Sequence, residues 1–465
     1  MENLGILSLL IPLSIIILAI ITKDVVVSLL SGIFLGELVL HQLNPLAAII
    51  ALLDDFVQLF AEGWITKTFL FALLVGSIIK LITKAGGVDG FIHYISHKMK
   101  QVDSPRGSLL LAYLLGIIIF IESSITSLVA GTVARPLCDK NGVSREKLAF
   151  VCDSTSAPVC SLIPFNGWGA LLLGLIVAGI ESHIITGDGV SLLISSILFN
   201  FYSILILIFV LMVIIWDINI GAMRHARALP LHSDPKESLK SSKNNSSPWL
   251  MILPLIFLVA MVPLALLYTG HGEILKGSGS TSIFYAVVAT LGFIYLYYVV
   301  ITRRLKHRAY FDALYEGISD MVPIVFILLL AFLIGVIIKE LGTAQYLSHL
   351  MQGNISPVFI PLLIFLVSAL TSFSTGTSWG TFSIMMPIAL ALGASFDLYI
   401  PLVIGAVISG GIFGDHVSPI SDTTIISSMA SGCDHIAHVR TQMPYALIAA
   451  GLASVLYLIA GWILK

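Results

Sequence analysis

The sequence predicts an all-α polytopic membrane protein of inverted-topology repeats, with re-entrant hairpins and discontinuous transmembrane helices. Three observations carry that expectation. The 465 residues are 57% apolar and 11% charged, with 24 Lys and Arg against 26 Asp and Glu, whereas soluble domains carry roughly 25% charged residues. So few charges do not cover the surface of a soluble protein of this size, and the mean hydropathy of +1.01 agrees. Apolar spans also recur along the whole chain, many near the ~20 residues that a helix needs to cross hydrocarbon. Finally, the second half repeats the first with its loop charges exchanged.

The first span, 5–21, has only Glu2 ahead of it and ends without a small-residue cleavage site. It is expected to be a retained helix, not a removed signal peptide. Span 25–41 follows. Residues 45–67 place Asp54, Asp55 and Glu62 between apolar positions, which suits an interfacial or a re-entrant segment alike. Span 68–83 holds Lys80, which with its counterpart Lys339 is expected to snorkel to the interface. Spans 108–138, 148–165, 167–181 and 189–217 complete a first half, 1–217. Residues 218–248 carry Arg224, Arg227, Lys236, Lys240 and Lys243 and a Ser/Asn/Pro-rich tail, the composition of a flexible cytoplasmic linker. The second half, 249–465, holds spans 249–269, 281–301, 320–339, 357–391, 399–430 and 442–463.

The halves echo each other. "LLVGSIIK" (73–80) returns as "FLIGVIIK" (332–339), offset by 259, and "DSTSAPV" (153–159) as "DHVSPIS" (415–421), offset by 262. Between them, "SITSLVAGTVARPL" (124–137) echoes "FSTGTSWGTFSIMMPI" (373–388). Loop 84–107 carries Lys84, Lys98, Lys100 and Arg106, while its counterpart 342–356 has no basic residue. Loop 139–147 carries Lys140, Arg145 and Lys147, while 392–398 has none. Loop 302–310 is basic, and its counterpart near 44–66 is not. With positive loops cytoplasmic, the repeats are inverted in the membrane, an arrangement that secondary transporters use to hold substrate near the midplane.

Span 108–138 is flanked by basic loops on both sides, yet two full crossings need about 40 residues. It is therefore expected to be a re-entrant hairpin turning at "ESSIT" (122–126), and 357–391 repeats the pattern with a turn at "TSFSTGTSWGT" (371–381). Irregular backbone at membrane depth survives only where protein or water surrounds it. Its freed carbonyls and its hydroxyls (Ser372, Ser374, Thr375, Thr377 and Ser378 in the second turn; Ser123, Ser124 and Thr126 in the first) are hard oxygen ligands suited to Na⁺.

Two further segments carry carboxylates. Asp153 precedes Pro158 in 148–165, with Ser156 between, and Asp415 and Asp422 flank Pro419 in 399–430, after Gly410, Gly411 and Gly414. Proline breaks helical hydrogen bonding there, so both segments are expected to be discontinuous helices. A carboxylate inside the membrane is neutral or paired with a cation, which lets H⁺ and Na⁺ compete for one site. The ion- or proton-binding candidates are therefore Glu122, Asp153, Asp415, Asp422, Ser372, Thr375 and Thr377, with Asp415 and Asp422 as the Na⁺ ligands. Glu122 is either a proton carrier or a partner for Arg135. The candidates for lining a substrate cavity are Ser123, Ser124, Thr126, Ser156, Asn166, Ser374, Ser378, His416 and Ser418, and Trp168 and Trp379 are placed to share it. His416 can titrate near neutral pH. His435 and His438, with Asp434 and Arg440, are expected in a polar loop before the last helix.

The net charge of −2 gives no reason to expect a nucleic-acid partner. Cys138, Cys152, Cys160 and Cys433 have no metal-like spacing, and no cofactor signature appears.

The segments 131–164, 376–389 and 410–446, among them "GTSWGTFSIMMPIA" and "GGIFGDHVSPISDTTIISSMASGCDHIAHVRTQMPYA", are long and specific. They resemble the NhaC family of bacterial Na⁺/H⁺ antiporters, within a wider group that also couples Na⁺ or H⁺ to organic anions such as malate and lactate. The resemblance covers nearly the whole chain. It implies ion and substrate roles for the regions around Asp153, Asp415–Asp422 and the second hairpin turn, and a multi-pass protein of the bacterial inner membrane. Many members carry Asp-Asp-Tyr-x-Asn at the first hairpin turn, where this chain has Glu122, Ser123, Ser124, Ile125 and Thr126. One acid is lost and hydroxyls replace Tyr and Asn, which alters the pocket's charge and shape.

The function expected is a secondary active Na⁺/H⁺ antiporter that exchanges cytoplasmic Na⁺ for external H⁺ by alternating access. The alternative is a Na⁺- or H⁺-coupled transporter of a small organic anion or amino acid. A channel has no need of inverted repeats, and no base–nucleophile set suggests an enzyme. The expected partners are Na⁺, H⁺, the bilayer and, in the alternative, a small organic solute, with a homodimer left open.

Overall fold

The computed structural model of the protein describes residues 7–22, 24–88, 90, 104–120, 122–164, 166–226, 247–272, 278–342, 346 and 356–464. Among them, nine helices are long and apolar enough to cross a membrane, or up to eleven if each of two bent pairs is one span. Most of the linker, with Arg227 and its lysines, lies outside the described residues, as do most of loops 84–107 and 342–356.

The first half opens with α1 (Leu7–Thr22) and α2 (Val25–Leu40). Asp24 caps α2 by accepting from the Val27 amide at 3.0 Å. Helix α3 (Pro45–Gln58), capped by Asn44, turns away so that 25–40 and 45–61 meet at 119°. This is the amphipathic segment, and its apolar side chains Leu46, Leu53 and Val57 are exposed. Helix α4 (Gly63–Lys84) crosses next.

Helices α5 (Pro105–Ile118) and α6 (Ser123–Lys140) form the first hairpin. Asn141, just past α6, donates to Ser108, near the start of α5, at 2.8 Å, so the two arms are antiparallel. The 14 residues of α5 span about 21 Å at 1.5 Å per residue, short of the ~30 Å of hydrocarbon. Helices α7 (Arg145–Ser154) and α8 (Ala157–Leu162) are the broken helix, interrupted at Thr155 and Ser156 before Pro158. Then come α9 (Gly167–Glu181), α10 (Gly189–Ile197) and α11 (Phe201–Trp216).

The second half begins with α12 (Trp249–Thr269) and α13 (Gly279–Tyr295), the latter running into a π-helical turn at Leu296–Ile301. Helix α14 (His307–Glu340) is longer than expected, because its amphipathic first turns extend the apolar span 320–339 into the basic loop. It lies antiparallel to α4. Lys84 meets Glu316 at 2.8 Å near one end, and Phe69 stacks on Phe332 at 5.5 Å farther along.

The second hairpin is α15 (Ile360–Thr375) and α16 (Ser378–Ser395). Its break lies at Gly376, whose φ of +68° suits glycine. A Cβ there would also sit 2.7 Å from Ile420 Cγ1. The second broken helix is α17 (Ile400–Val417) and α18 (Asp422–Ser431), interrupted at Ser418–Ser421 around Pro419. Helix α19 (His435–Ile463) closes the chain.

Helix α17 is the centre of the core. It is almost wholly buried and packs on α15, α16, α11 and α19. Gly410 and Gly414, one turn apart, let its backbone touch that of α15: a Cβ would sit 2.6 Å from Ser368 Cβ at Gly410 and 2.6 Å from the Phe373 amide nitrogen at Gly414. Small residues permit this approach where lipid supplies no hydrophobic drive, and Ser372 ties it by donating to the Gly411 carbonyl at 2.6 Å. Gly410→Val is expected to force these helices apart at a cost of about 1–3 kcal/mol. Thermal unfolding in detergent checks this; an unchanged midpoint would mean that the contact yields freely.

Candidate functional site

Four helix N-termini converge on one cavity of about 480 Å³. Each presents a side-chain oxygen to one of its first backbone amides. Glu122, ahead of α6, accepts from the Ser124 amide at 3.0 Å. Asn166 caps α9 through Gly169 at 3.0 Å, and Thr377 caps α16 through Gly380 at 3.4 Å. Asp422, first residue of α18, accepts from the Thr423 amide at 2.8 Å. The two carboxylates among them, Glu122 and Asp422, suit the positive end of a helix.

The floor of the cavity is Asp415, in the last turn of α17, with Ser378, Thr423 and Trp168 beside it; Asp415 is 1% and Trp168 2% exposed. Ser378 and Thr423 each donate to Asp415 Oδ2 at 3.4 Å. Asp415 Oδ1 and Trp168 Nε1 are buried with no hydrogen-bond partner among the described residues. Trp379 meets Trp168 edge to face, centroids 5.4 Å apart. The mouth is formed by α4 and α14 through Lys80, Thr83 and Asp320. Asp422 is exposed.

The cavity thus gathers Glu122, Ser123, Thr377, Ser378, Asp415 and Asp422 from the sequence-derived candidates, with both tryptophans. Other candidates lie behind its wall and spend their polar groups on backbone. Thr126 donates to the carbonyls of Ile119 and Glu122, Ser156 to Asp153, and Ser372 to Gly411. Thr375 donates to Thr371, Ser418 to Phe373, and Asn166 to Phe120 and Cys160. Ser124 and Ser374 are half-buried outside the lining. Glu122 and Arg135 are not partners. Thirteen residues along one helix separate them by about 20 Å, and Arg135 faces Asp139 at 4.0 Å.

Asp153 and His416 belong to a second, buried cluster. Gln442 donates to Asp153 Oδ2 at 3.0 Å, and His438 Nε2 lies 3.3 Å and His416 Nε2 3.9 Å from the same oxygen. His416 also contacts Ser154 Oγ at 3.1 Å and Tyr202 Oη at 2.6 Å. This corrects the expectation of a polar loop at 434–440. Asp434 caps α19 through the Ala437 amide at 2.8 Å, so His438 lies one turn inside a helix and is fully buried.

Sequence reasoning missed three further contributors. Lys80, read as a snorkelling residue, lines the mouth and donates to Asp320 at 3.0 Å, with Glu316 3.7 Å away. Asp320 and Gln442 gave no local signal, because their partners lie hundreds of residues away. Among the described residues no group of three or more His, Cys, Asp or Glu side chains could hold a metal ion.

The profile of the Na⁺/H⁺ antiporter family matches residues 159–462, more than half of the chain. The chain belongs to the Na⁺/H⁺ antiporter family. This antiporter-family chain is 35% identical over 96% of its length to an uncharacterised protein of Haemophilus influenzae, covering 89% of that protein. It is 34% identical to the malate-2H⁺/Na⁺-lactate antiporter of Bacillus subtilis over 32% of each chain. In fold it is similar to MtrF of Neisseria gonorrhoeae, with a TM-score of 0.61 and 16% identity over 90% of this chain and 85% of that one. It is a secondary transporter of ions or small solutes and a multi-pass protein of the bacterial inner membrane.

Proposed function

We propose that the protein is a Na⁺/H⁺ antiporter that exchanges cytoplasmic Na⁺ for external H⁺ by alternating access. The observation that carries this reading is Asp415: a buried carboxylate at the floor of a cavity, between two helix breaks, with one oxygen unpartnered among the described residues. Such a group must hold a proton or a cation, so H⁺ and Na⁺ exclude each other there. Asp422, Glu122, Thr377 and Ser378 complete the oxygen set.

Two contacts support inverted repeats. The equivalent segments 73–80 and 332–339 lie on α4 and α14, which run antiparallel. Ser154 Oγ meets His416 Nε2 at 3.1 Å across 262 residues, the offset that relates "DSTSAPV" to "DHVSPIS". A two-fold axis brings each residue near it against its own equivalent, as here. In this reading 1–217 and 249–465 are the two halves, 218–248 is a cytoplasmic linker, and both hairpins are re-entrant. The mouth at Lys80 and Thr83 adjoins the basic loop 84–107, so it faces the cytoplasm. Single cysteines placed in 84–107 and in 342–356, with Cys433 replaced by serine, are expected to label from opposite faces of the membrane. Labelling of both from one face refutes the inversion.

The direct test uses purified protein in liposomes with a pH-sensitive dye inside and an imposed pH gradient. Na⁺ alone is expected to dissipate the gradient. Silence with cations, followed by proton movement once an organic solute is added, would overturn the reading. A second reading, a coupled carrier of a small organic solute, is favoured by the volume of about 480 Å³, which lies within the range of small-molecule sites, about 300–1,000 Å³.

A further inference from the structure

We propose that the protein binds a negatively charged phosphate ester in a second cavity, apart from the transport site, between Arg106 and Arg224. This cavity holds about 620 Å³ and lies where the start of α5, the loop before α7 and the chain after α11 meet. All three belong to segments whose basic residues mark the cytoplasmic face.

Its charge is the reverse of the transport cavity's. Arg106, Lys147 and Arg224 line it against one acid, Asp217, whereas in the transport cavity Lys80 stands against four carboxylates. Lys147 is the buried member, 5% exposed. Its ammonium meets Asp217 and donates to Asn219 Oδ1 at 3.0 Å, so one lysine and one aspartate cancel. What remains is two exposed guanidinium groups on different elements. Arg224 donates through Nε to the Asn219 carbonyl at 2.9 Å. That bond orients the planar fork and leaves its terminal nitrogens to a guest. Such forks pair with phosphate oxygens two at a time. Helices α5 and α7 also start here, with their caps Ser104 and Ser144 in the lining, and the positive ends of both add to the arginines.

Size excludes a bare inorganic ion as the intended guest. At about 30 Å³ per water, 620 Å³ has room for about twenty waters. Helix α11 ends at the cavity and turns Ile208, Ile215 and Trp216 outward, as a lipid-facing helix does. A phospholipid whose chains lie along α11 can therefore set its phosphate between the arginines, and basic pockets at this depth suit such head groups. A soluble phosphate ester brings the same chemistry from the cytoplasm.

The test uses purified, delipidated full-length protein in detergent and follows the thermal midpoint. Dioleoylphosphatidylglycerol added to the micelles is expected to raise it saturably, and dioleoylphosphatidylcholine is not. Arg106→Gln and Arg224→Gln should each raise the half-saturating fraction at least about tenfold, the loss of one charged hydrogen bond. Arg308→Gln, an exposed change in another basic loop, should leave it where it was. Native mass spectrometry supplies a reading independent of the variants' folding: from an equal mixture of the two lipids, the wild-type chain should retain one phosphatidylglycerol. In a parallel arm, sn-glycerol 3-phosphate replaces the lipid. If it alone gives an arginine-dependent rise, the site stands and its ligand comes from solution. The proposal fails if neither probe raises the midpoint and no phosphatidylglycerol is retained. It fails equally if both pocket variants respond like the wild type, or if Arg308→Gln weakens binding as much as they do, which would mark diffuse surface charge.

Discussion

Asp415→Asn is expected to abolish Na⁺-dependent proton movement in liposomes while leaving the protein folded. Asparagine has the shape of the carboxylate and keeps an oxygen for the Ser378 and Thr423 hydroxyls, which approach Oδ2 at 3.4 Å. What it removes is the charge. Losing one partner of a buried charge interaction costs about 2–5 kcal/mol, and at 1.4 kcal/mol per factor of ten even the lower figure is a loss of about 30-fold in cation affinity. The same change removes the group on which H⁺ and Na⁺ compete, so coupling fails as well as binding. The thermal midpoint should move little, because a neutral amide at a floor 1% exposed is cheaper to bury than a carboxylate. Unchanged exchange by a folded Asp415→Asn protein would remove Asp415 from the site. A collapsed midpoint would make its role architectural.

The breaks were legible because the chain marks them with residues that have a physical reason to be there. Gly376 takes the positive φ, Thr377 caps the helix that follows, and Pro158 and Pro419 sit beside the interruptions in both broken helices. A hydroxyl- or carboxylate-bearing residue at a break can cap, bond a carbonyl or face the cavity, and sequence does not say which. Thr375 and Ser378 lie three residues apart, yet one donates to its own helix and the other to Asp415. Pairings across the halves left no trace in local pattern. Lys80 finds Asp320 across 240 residues, and Gln442 finds Asp153 across 289. The start of α19 was missed because its first turns are polar. They bury His438 against Asp153, so a helix face that looks solvated in composition is turned inward.

That buried cluster carries the second large effect. His438→Leu is expected to destabilise the protein by about 3–5 kcal/mol, the range for removing one partner from a buried pair. The loss is large because Asp153 is 1% exposed and its Oδ1 already lacks a partner among the described residues, so what remains is a carboxylate held by Gln442 at 3.0 Å and a more distant His416. Asp153→Asn should cost less, since Gln442 can still donate to the amide oxygen. The double variant should be more stable than the two single losses predict, with a coupling of about 0.5–3 kcal/mol. Thermal midpoints of the four proteins measure it, and strict additivity would show that His438 and Asp153 do not support each other. The cluster joins α7 of the first half to α17 and α19 of the second, and His416 is the next residue after Asp415. A loosened joint therefore shifts the floor of the cavity. In His438→Leu, exchange should fall together with stability, and in Asp153→Asn the two separate what Asp153 does. Exchange lost at an unchanged midpoint makes it an ion or proton carrier, whereas exchange retained makes it the polar hinge pin between the halves.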